Sequence, residues 1–317
     1  MTRYLYRELN ELPDGFLAGC LTIGNFDGVH VGHRAIVERV VARAREMGGP
    51  PVVFSFDPHP VQLLRPQAAP IPLTTTARKA ELLFDLGIEV LVAFPTDRAF
   101  LALTADEYFS QIVCRRLRAR ALVEGPNFSF GKDRRGDVRV LRRLCDEHAL
   151  ALDIVDPIQR GDRFVSSSRV RQALRDGEIA EANAMLTRAY QLRGTVAPGA
   201  RRGRSIGFPT ANLTEVPTLV PALGVYAGIA HCRARAYPAA INVGPNPTFG
   251  EQGSKLEVHV LDFDGSIYGE ELAVDFLERL RDIQTFSSVS SLQDQLRDDV
   301  QATRAIVARA GVARRTQ

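Results

Sequence analysis

Two histidines, His30 and His33, stand in a ten-residue stretch, Gly24-Asn25-Phe26-Asp27-Gly28-Val29-His30-Val31-Gly32-His33. It follows a short apolar run, Cys20-Leu21-Thr22-Ile23, and precedes a helical pattern from Arg34 to Glu46 with Ile36, Val37, Val40 and Val41 on one stripe. A strand-to-helix turn offers an anion free backbone N–H groups and the positive end of a helix. Gly32 lets the chain bring both imidazoles to one side, which makes a place to hold phosphates. Two structural histidines are the plain alternative. A zinc pair is another, although no third ligand stands nearby except Asp27.

A second constellation lies in Gly194 to Leu213. Gly199, Gly203 and Gly207 make a flexible loop able to approach phosphates, and Arg201, Arg202 and Arg204 could neutralise them. Thr210 and Asn212, in Pro-Thr-Ala-Asn, offer neutral oxygens to a hard cation. A β-hairpin with a basic, solvated tip reads equally well from these residues. Further on, Glu257 alternates with Leu256 and Val258, so it points away from those apolar neighbours, with His259 on its own face. Such a carboxylate is either a solvent-facing strand residue or a general base. Gly125 to Lys132 imitates a phosphate-binding P-loop but fails. Five residues separate its glycines, and Asp133 stands where a Ser or Thr would hold magnesium.

The elements that must position these groups divide in two. From residue 20 to about 186, strand and helix patterns alternate. Strands are expected at Pro51–Phe56, Val90–Phe94 and Ala121–Glu124, and a helix at Ala77–Leu86 capped by Gly87. Ser166-Ser167-Ser168 offers N-caps to a helix over Arg169–Arg175. Alternation of this kind predicts a parallel, Rossmann-like α/β sheet, whose ligands bind at the carboxyl ends of strands. Beyond a boundary near Thr187 to Gln191, short strands separated by Pro and Gly turns predict an all-β barrel or sandwich. These are Leu192–Val196, Gly224–His231, Ala239–Val243, Leu256–Leu261 and Glu271–Phe276, followed by a helix over about Ser291–Arg309. The expected domains are 1–186 and 187–317.

Composition narrows the classes. The chain has 317 residues, net charge +3 and 37 Arg against 3 Lys, too small a net charge to argue for nucleic acid. The run Arg115-Arg116-Leu117-Arg118-Ala119-Arg120 reads as a solvated helix face. No apolar run reaches membrane-span length, and no signal-peptide pattern opens the sequence. Four scattered cysteines, Cys20, Cys114, Cys145 and Cys232, suggest reduced thiols in a cytoplasmic protein.

The motifs together resemble the bacterial bifunctional riboflavin kinase/FAD synthetase family. Gly24 to His33 is similar to its nucleotidyltransferase motif, and Phe56-Asp57-Pro58-His59-Pro60 to the next one. Gly125-Pro126-Asn127-Phe128-Ser129-Phe130-Gly131 resembles its flavin-nucleotide loop, and Val165-Ser166-Ser167-Ser168-Arg169-Val170-Arg171 its Ile-Ser-Ser-Thr-x-Ile-Arg motif. Pro-Thr-Ala-Asn, Gly224-Val225-Tyr226-Ala227-Gly228, Asn242 to Gly250, Leu256 to Phe263 and Leu280 to Ile283 resemble the kinase module in order and spacing.

The resemblance implies two ATP-dependent reactions: riboflavin to FMN, then FMN to FAD with release of pyrophosphate. It implies that His30 and His33 contact ATP phosphates, with Gly24, Asn25, Phe26, Asp27, Gly32 and Asn127 around the nucleotides. Ser166, Ser167, Ser168 and Arg171 would close on the nucleotide from the other side. In the kinase half, Thr210 and Asn212 would hold Mg2+ and ATP beside Gly199, Gly203, Arg204 and Gly207, and Glu257 would be the base. The partners are then the small molecules riboflavin, FMN and ATP, with no nucleic acid and no membrane. Other acceptors such as phosphopantetheine or a polyol phosphate, a kinase whose first domain only binds nucleotide, and a flavin-sensing regulator are the alternatives.

Overall fold

The computed structural model describes residues 2–199, 203, 206–245 and 255–311. Two compact units divide the chain, Met1–Ser167 and Ser168–Gln317.

In the first unit six strands form one parallel sheet: β1 (Tyr4–Tyr6), β2 (Cys20–Ile23), β3 (Pro51–Phe56), β4 (Val90–Phe94), β5 (Ala121–Glu124) and β6 (Ala151–Ile154). Their order is β1-β4-β3-β2-β5-β6. Successive strands step one way from β2 to β4 and the other way from β5 to β6. The order therefore reverses between β2 and β5, which opens a crevice at their carboxyl ends. The strands read as near-continuous apolar runs because both faces are covered. Helices α1 (Val31–Met47) and α3 (Thr76–Asp85) pack on the face carrying Cys20, Val53, Leu91, Ala121 and Val123. A π-helix (Phe109–Arg116) and α6 (Val138–Glu147) pack on the face of Leu21, Ile23, Phe54, Val92 and Leu122. Short helices α2 (Pro60–Leu64), α4 (Arg98–Leu101) and α5 (Ala105–Tyr108) and a small hairpin, β7 (Gln159–Arg160) with β8 (Arg163–Phe164), complete the unit.

The strands expected at Pro51–Phe56, Val90–Phe94 and Ala121–Glu124 appear with those limits. Helix α1 starts at Val31 rather than Arg34, because His30 itself is the N-cap. The basic run at Arg115 does not continue a helix. The π-helix ends at Arg116, and the arginines alternate outward with buried Leu117 and Ala119. The three serines also behave differently from simple caps. Helix α7 (Ser167–Arg175) takes two of them into its first turn, and the Ser167 hydroxyl donates to the Asp27 carbonyl at 2.9 Å.

The second unit carries α7 onward, α8 (Ile179–Met185) and a closed antiparallel barrel. Its strands are β9 (Tyr190–Ala197), β10 (Ala211–Thr214), β11 (Gly224–Cys232), β12 (Arg235–Gly244), β13 (Lys255–Val260) and β14 (Glu271–Arg281), in the order β10-β13-β12-β11-β14-β9. Closure comes from β10, which pairs with β9 on one side and β13 on the other. Four residues with one buried apolar side chain, Leu213, give too little alternation to signal a strand on their own, but the antiparallel β9–β10 pair is the hairpin that Gly194 to Leu213 also allowed. Inward positions alternate, as with Leu192 and Val196 on β9 or Leu256, Val258 and Val260 on β13. The terminal helix α9 (Val289–Arg309) covers the barrel through Ile306 and Val307, and Ser288 caps its start.

One ion pair anchors that helix. Arg281 grips Asp299 through Nε at 3.0 Å and Nη2 at 2.8 Å, and Asp299 is buried. Removing one partner of such a pair leaves an uncompensated buried charge. Asp299→Ala is expected to cost the second unit about 3 kcal/mol, measured as a shift of its chemical denaturation midpoint.

Candidate functional site

The turn at the carboxyl end of β2 is built by its own polar groups. Gly24 N–H still donates to Phe54 O, so β2–β3 pairing runs into the turn. The Asp27 carboxylate accepts from Leu73 N–H and Thr74 N–H at 3.0 Å and from the Thr74 hydroxyl at 3.1 Å. Its role in this structure is thus to tie the turn to the segment before α3. Phe26, expected at the nucleotide, is a core residue packed with Val29, Val37 and Leu83, its ring 4.9 Å from that of His33. The Ser55 hydroxyl donates to Asn25 O.

His30 caps α1: its Nδ1 accepts the His33 N–H at 3.2 Å. In the neutral ring the proton then sits on Nε2, which stays available as a donor. The two imidazoles stack with centroids 3.6 Å apart and planes at 14°. Gly32 makes room for this, since a Cβ there would meet the His30 ring at 3.1 Å. Burial pushes the His30 pKa down to about 4, against a smaller upward pull from Asp27. His33 lies well below the usual imidazole range through burial first, then His30 and Lys79. Both rings are therefore neutral donors near pH 7, not cations. Two buried atoms of the turn, Asn25 Oδ1 and His33 Nδ1, have no hydrogen-bond partner among the described residues.

Ser167 joins this site through its bond to Asp27. Asn127 is exposed at the loop following β5, on the other side of the crevice between β2 and β5. Ser166 and Ser168 are exposed, and Arg171 is buried one turn along α7. Asp57 accepts from the Thr76 hydroxyl at 2.6 Å, and His59 caps α2. As for zinc, the described residues contain no group of three His, Cys, Asp or Glu placed to hold a metal.

In the barrel, strand register assembles the second site. Asn212 on β10 lies opposite Glu257 on β13, and Glu257 lies opposite Asn242 on β12. The three form one row on the outer face, while Leu256 and Val258 point inward. Asn242 enters the sequence reading only as part of a motif; its Nδ2 is buried with no hydrogen-bond partner among the described residues. No one-strand pattern could find it, because its partner is fifteen residues of chain away and is fixed by pairing alone. Gly199 packs against the row, since a Cβ there would fall 2.1 Å from Asn212 Nδ2. This glycine makes room for the amide. Gly203 O accepts the Phe208 N–H at 2.8 Å in a tight turn that includes exposed Gly207. Thr210 is half-buried between that turn and Asn212. His259 Nδ1 lies 2.7 Å from Pro209 O, and burial lowers its pKa. A cavity of about 570 Å³ opens beside Asn212, lined by Ala197, Gly199, Glu215, Val220 and Lys255. Arg201, Arg202, Arg204 and Asn246 to Gly250 lie outside the described residues.

The donor set around Asn212 fits magnesium. Its oxygens are the neutral Thr210 hydroxyl and Asn212 amide, and Mg2+ takes few protein ligands, keeping waters and phosphate oxygens for the rest.

The depressed imidazole of His30 has a consequence for stability. Between pH 6.5 and about 4 the unfolded chain binds a proton that the folded His30 does not. Stability of the ligand-free first unit should therefore fall as pH drops through that window. His30→Gln should remove this part of the slope in pH-dependent thermal unfolding; an unchanged slope would refute the assignment.

Comparisons with known proteins agree with both halves. Residues 17–169 match the model of the FAD synthetase family, and residues 186–307 that of riboflavin kinase. The bifunctional riboflavin kinase/FMN adenylyltransferase of Escherichia coli K12 is 35% identical over 94% of this chain and 96% of its own. That of Pseudomonas fluorescens is 35% identical over 96% of this chain and 98% of its own. A solved structure titled a macrolide-efflux protein, from Streptococcus pneumoniae, superposes with TM-score 0.84 at 31% identity, covering 96% of this chain and 99% of that one. Efflux is that protein's title alone; no described helix here is long and apolar enough to cross a membrane. With two domain models in series and relatives matched along nearly their whole length, the chain belongs to the bifunctional riboflavin kinase/FMN adenylyltransferase family.

Proposed function

We propose that the barrel row Asn212–Glu257–Asn242 and the His30–His33 turn are the two active sites of one flavin-cofactor enzyme. Membership in the family gives the chain both activities: phosphorylation of riboflavin to FMN, and adenylylation of FMN to FAD. We assign the adenylyl transfer to residues 1–186 and the kinase to 187–317. The observation that carries the residue roles is the register that sets the Glu257 carboxylate between two asparagine amides.

The two reactions need different help. Riboflavin's 5′-hydroxyl is a weak nucleophile. Glu257 takes its proton as the bond to the γ-phosphorus forms. Thr210 and Asn212 would hold the magnesium that accompanies ATP, which supplies charge neutralisation at the phosphates. The resemblance puts Gly199, Gly203, Arg204 and Gly207 beside them. The FMN phosphate, by contrast, is already an anion and needs no base. The first site has only to align it with the α-phosphorus of ATP and to neutralise the leaving pyrophosphate. His30 Nε2–H, His33 and the N-terminus of α1 supply neutral donors, with Gly24, Asn25 and Gly32 shaping the turn. Ser166, Ser167, Ser168 and Arg171 close on the nucleotide, and Asn127 approaches the flavin nucleotide. We place this work in the cytoplasm, on small molecules alone; four free cysteines and a net charge of +3 support that reading.

One assay tests both sites: purified protein with ATP and magnesium, flavins separated by chromatography. Glu257→Gln should lower FMN formation from riboflavin roughly 100- to 10,000-fold while FAD formation from supplied FMN persists. His30→Ala should do the reverse, lowering FAD formation roughly 100- to 1000-fold with the kinase intact. If either variant loses both reactions equally, or neither, the assignment is wrong.

A further inference from the structure

Lys79 lies on α3, beneath the first site, and the mechanism above does not use it. It is 7% exposed. Its Nζ donates to Ser55 Oγ at 3.1 Å, and the Ser55 hydroxyl donates in turn to Asn25 O at 3.2 Å. Among the described residues it has no carboxylate within ion-pair distance. Asp27 and Asp57 act on it electrostatically from further off, and its charge reaches His33. A buried ammonium costs several kcal/mol unless something around it recovers that cost. Here one hydroxyl holds an ion with three donors. Core packing alone would be served at lower cost by leucine or methionine.

Three groups of the nucleotide turn are coupled to this ammonium, one by hydrogen bonds and two by charge. The first is the Asn25 backbone, held through Ser55. The second is Asp27, already committed to Leu73 and Thr74. The third is His33, which the charge of Lys79 reaches without contact. A fixed positive charge near that imidazole disfavours a second positive charge on it. It also adds to the positive field at the N-terminus of α1, where an anionic ligand would sit.

We propose that Lys79 is a positioning residue of adenylyl transfer, which holds the Asn25 turn through Ser55 and sets the field in which His33 works. This rests on the assignment of the His30–His33 turn to that reaction. Lys79 touches no reacting atom; it acts from behind the turn. Burial lowers its own pKa from 10.5, while Asp27 and Asp57 raise it. The charge that the site depends on is therefore lost earlier, as pH rises, than for an exposed lysine.

The test uses the full chain with labelled histidines. In Lys79→Met the NMR titration midpoint of His33 should rise, and kcat for FAD formation should fall roughly 10- to 100-fold with a smaller change in the KM for ATP. The riboflavin kinase rate should stay at the wild-type value, and cooperative thermal unfolding of the first unit should report that it is folded. Ser55→Ala should lower kcat but leave the His33 midpoint in place. Lys79→Arg retains the charge, and because guanidinium does not titrate, it should abolish the alkaline fall in the pH profile of FAD formation. If Lys79→Met does not fold, that alkaline limb decides alone: its persistence in Lys79→Arg overturns the proposal. An unmoved His33 midpoint in folded Lys79→Met overturns it as well. The midpoint is read without turnover, so a shift with no role for His30 in FAD formation would sink the assignment of the site and not the coupling of Lys79 to His33.

Discussion

Strand register is the constraint on which both sites depend. A parallel sheet covered on both faces and a barrel closed on itself leave their strands no freedom to slip, because a shift of one residue would exchange the two packed faces of the sheet and turn the barrel's buried side chains outward. In the first unit this fixes where β2 ends, and so where the histidine turn begins. In the second it sets Asn212, Glu257 and Asn242 side by side from three separate strands. The functional groups inherit their precision from backbone hydrogen bonds that carry no chemistry of their own.

The two sites deal with charge in opposite ways. The first is enclosed. Its histidines are stacked and stripped of charge, and its acid, Asp27, is spent on backbone N–H groups. An enclosed neutral donor is pre-aimed and needs no reorganisation when an anion arrives. The second lies on the outer face of the barrel, where the Glu257 carboxylate is half-exposed between two asparagines. Alignment of an existing anion suits the first environment; deprotonation of a hydroxyl suits the second.

Much of this was legible before any coordinates. Mostly apolar runs ended by Asp57, Pro95 and Gly125 gave the limits of β3, β4 and β5, since a doubly covered strand is apolar over most of its length. The histidine pair signalled itself by a glycine between two rings at a strand–helix junction, and Glu257 by alternation with Leu256 and Val258. Short elements were not legible. Tyr4–Tyr6 and Ala211–Thr214 carry too few residues for a period to show, yet one forms an edge of the sheet and the other closes the barrel. Nor did Ser167 announce that its hydroxyl would leave the cap for the Asp27 carbonyl.

The sequence by itself determined the chemistry on hand: which side chains could hold phosphate, accept a proton or bind a hard cation, and in which half each lay. Those properties belong to residue types and local spacing. Only the tertiary structure decided their state and their company. It made the histidines neutral by burying them, made Phe26 core and Asp27 a structural tie, and brought Asn242 to Glu257 and Lys79 to Ser55 behind the turn. Each of these depends on groups far apart in the chain, whose desolvation and pairing exist only once the sheet and the barrel have closed around them.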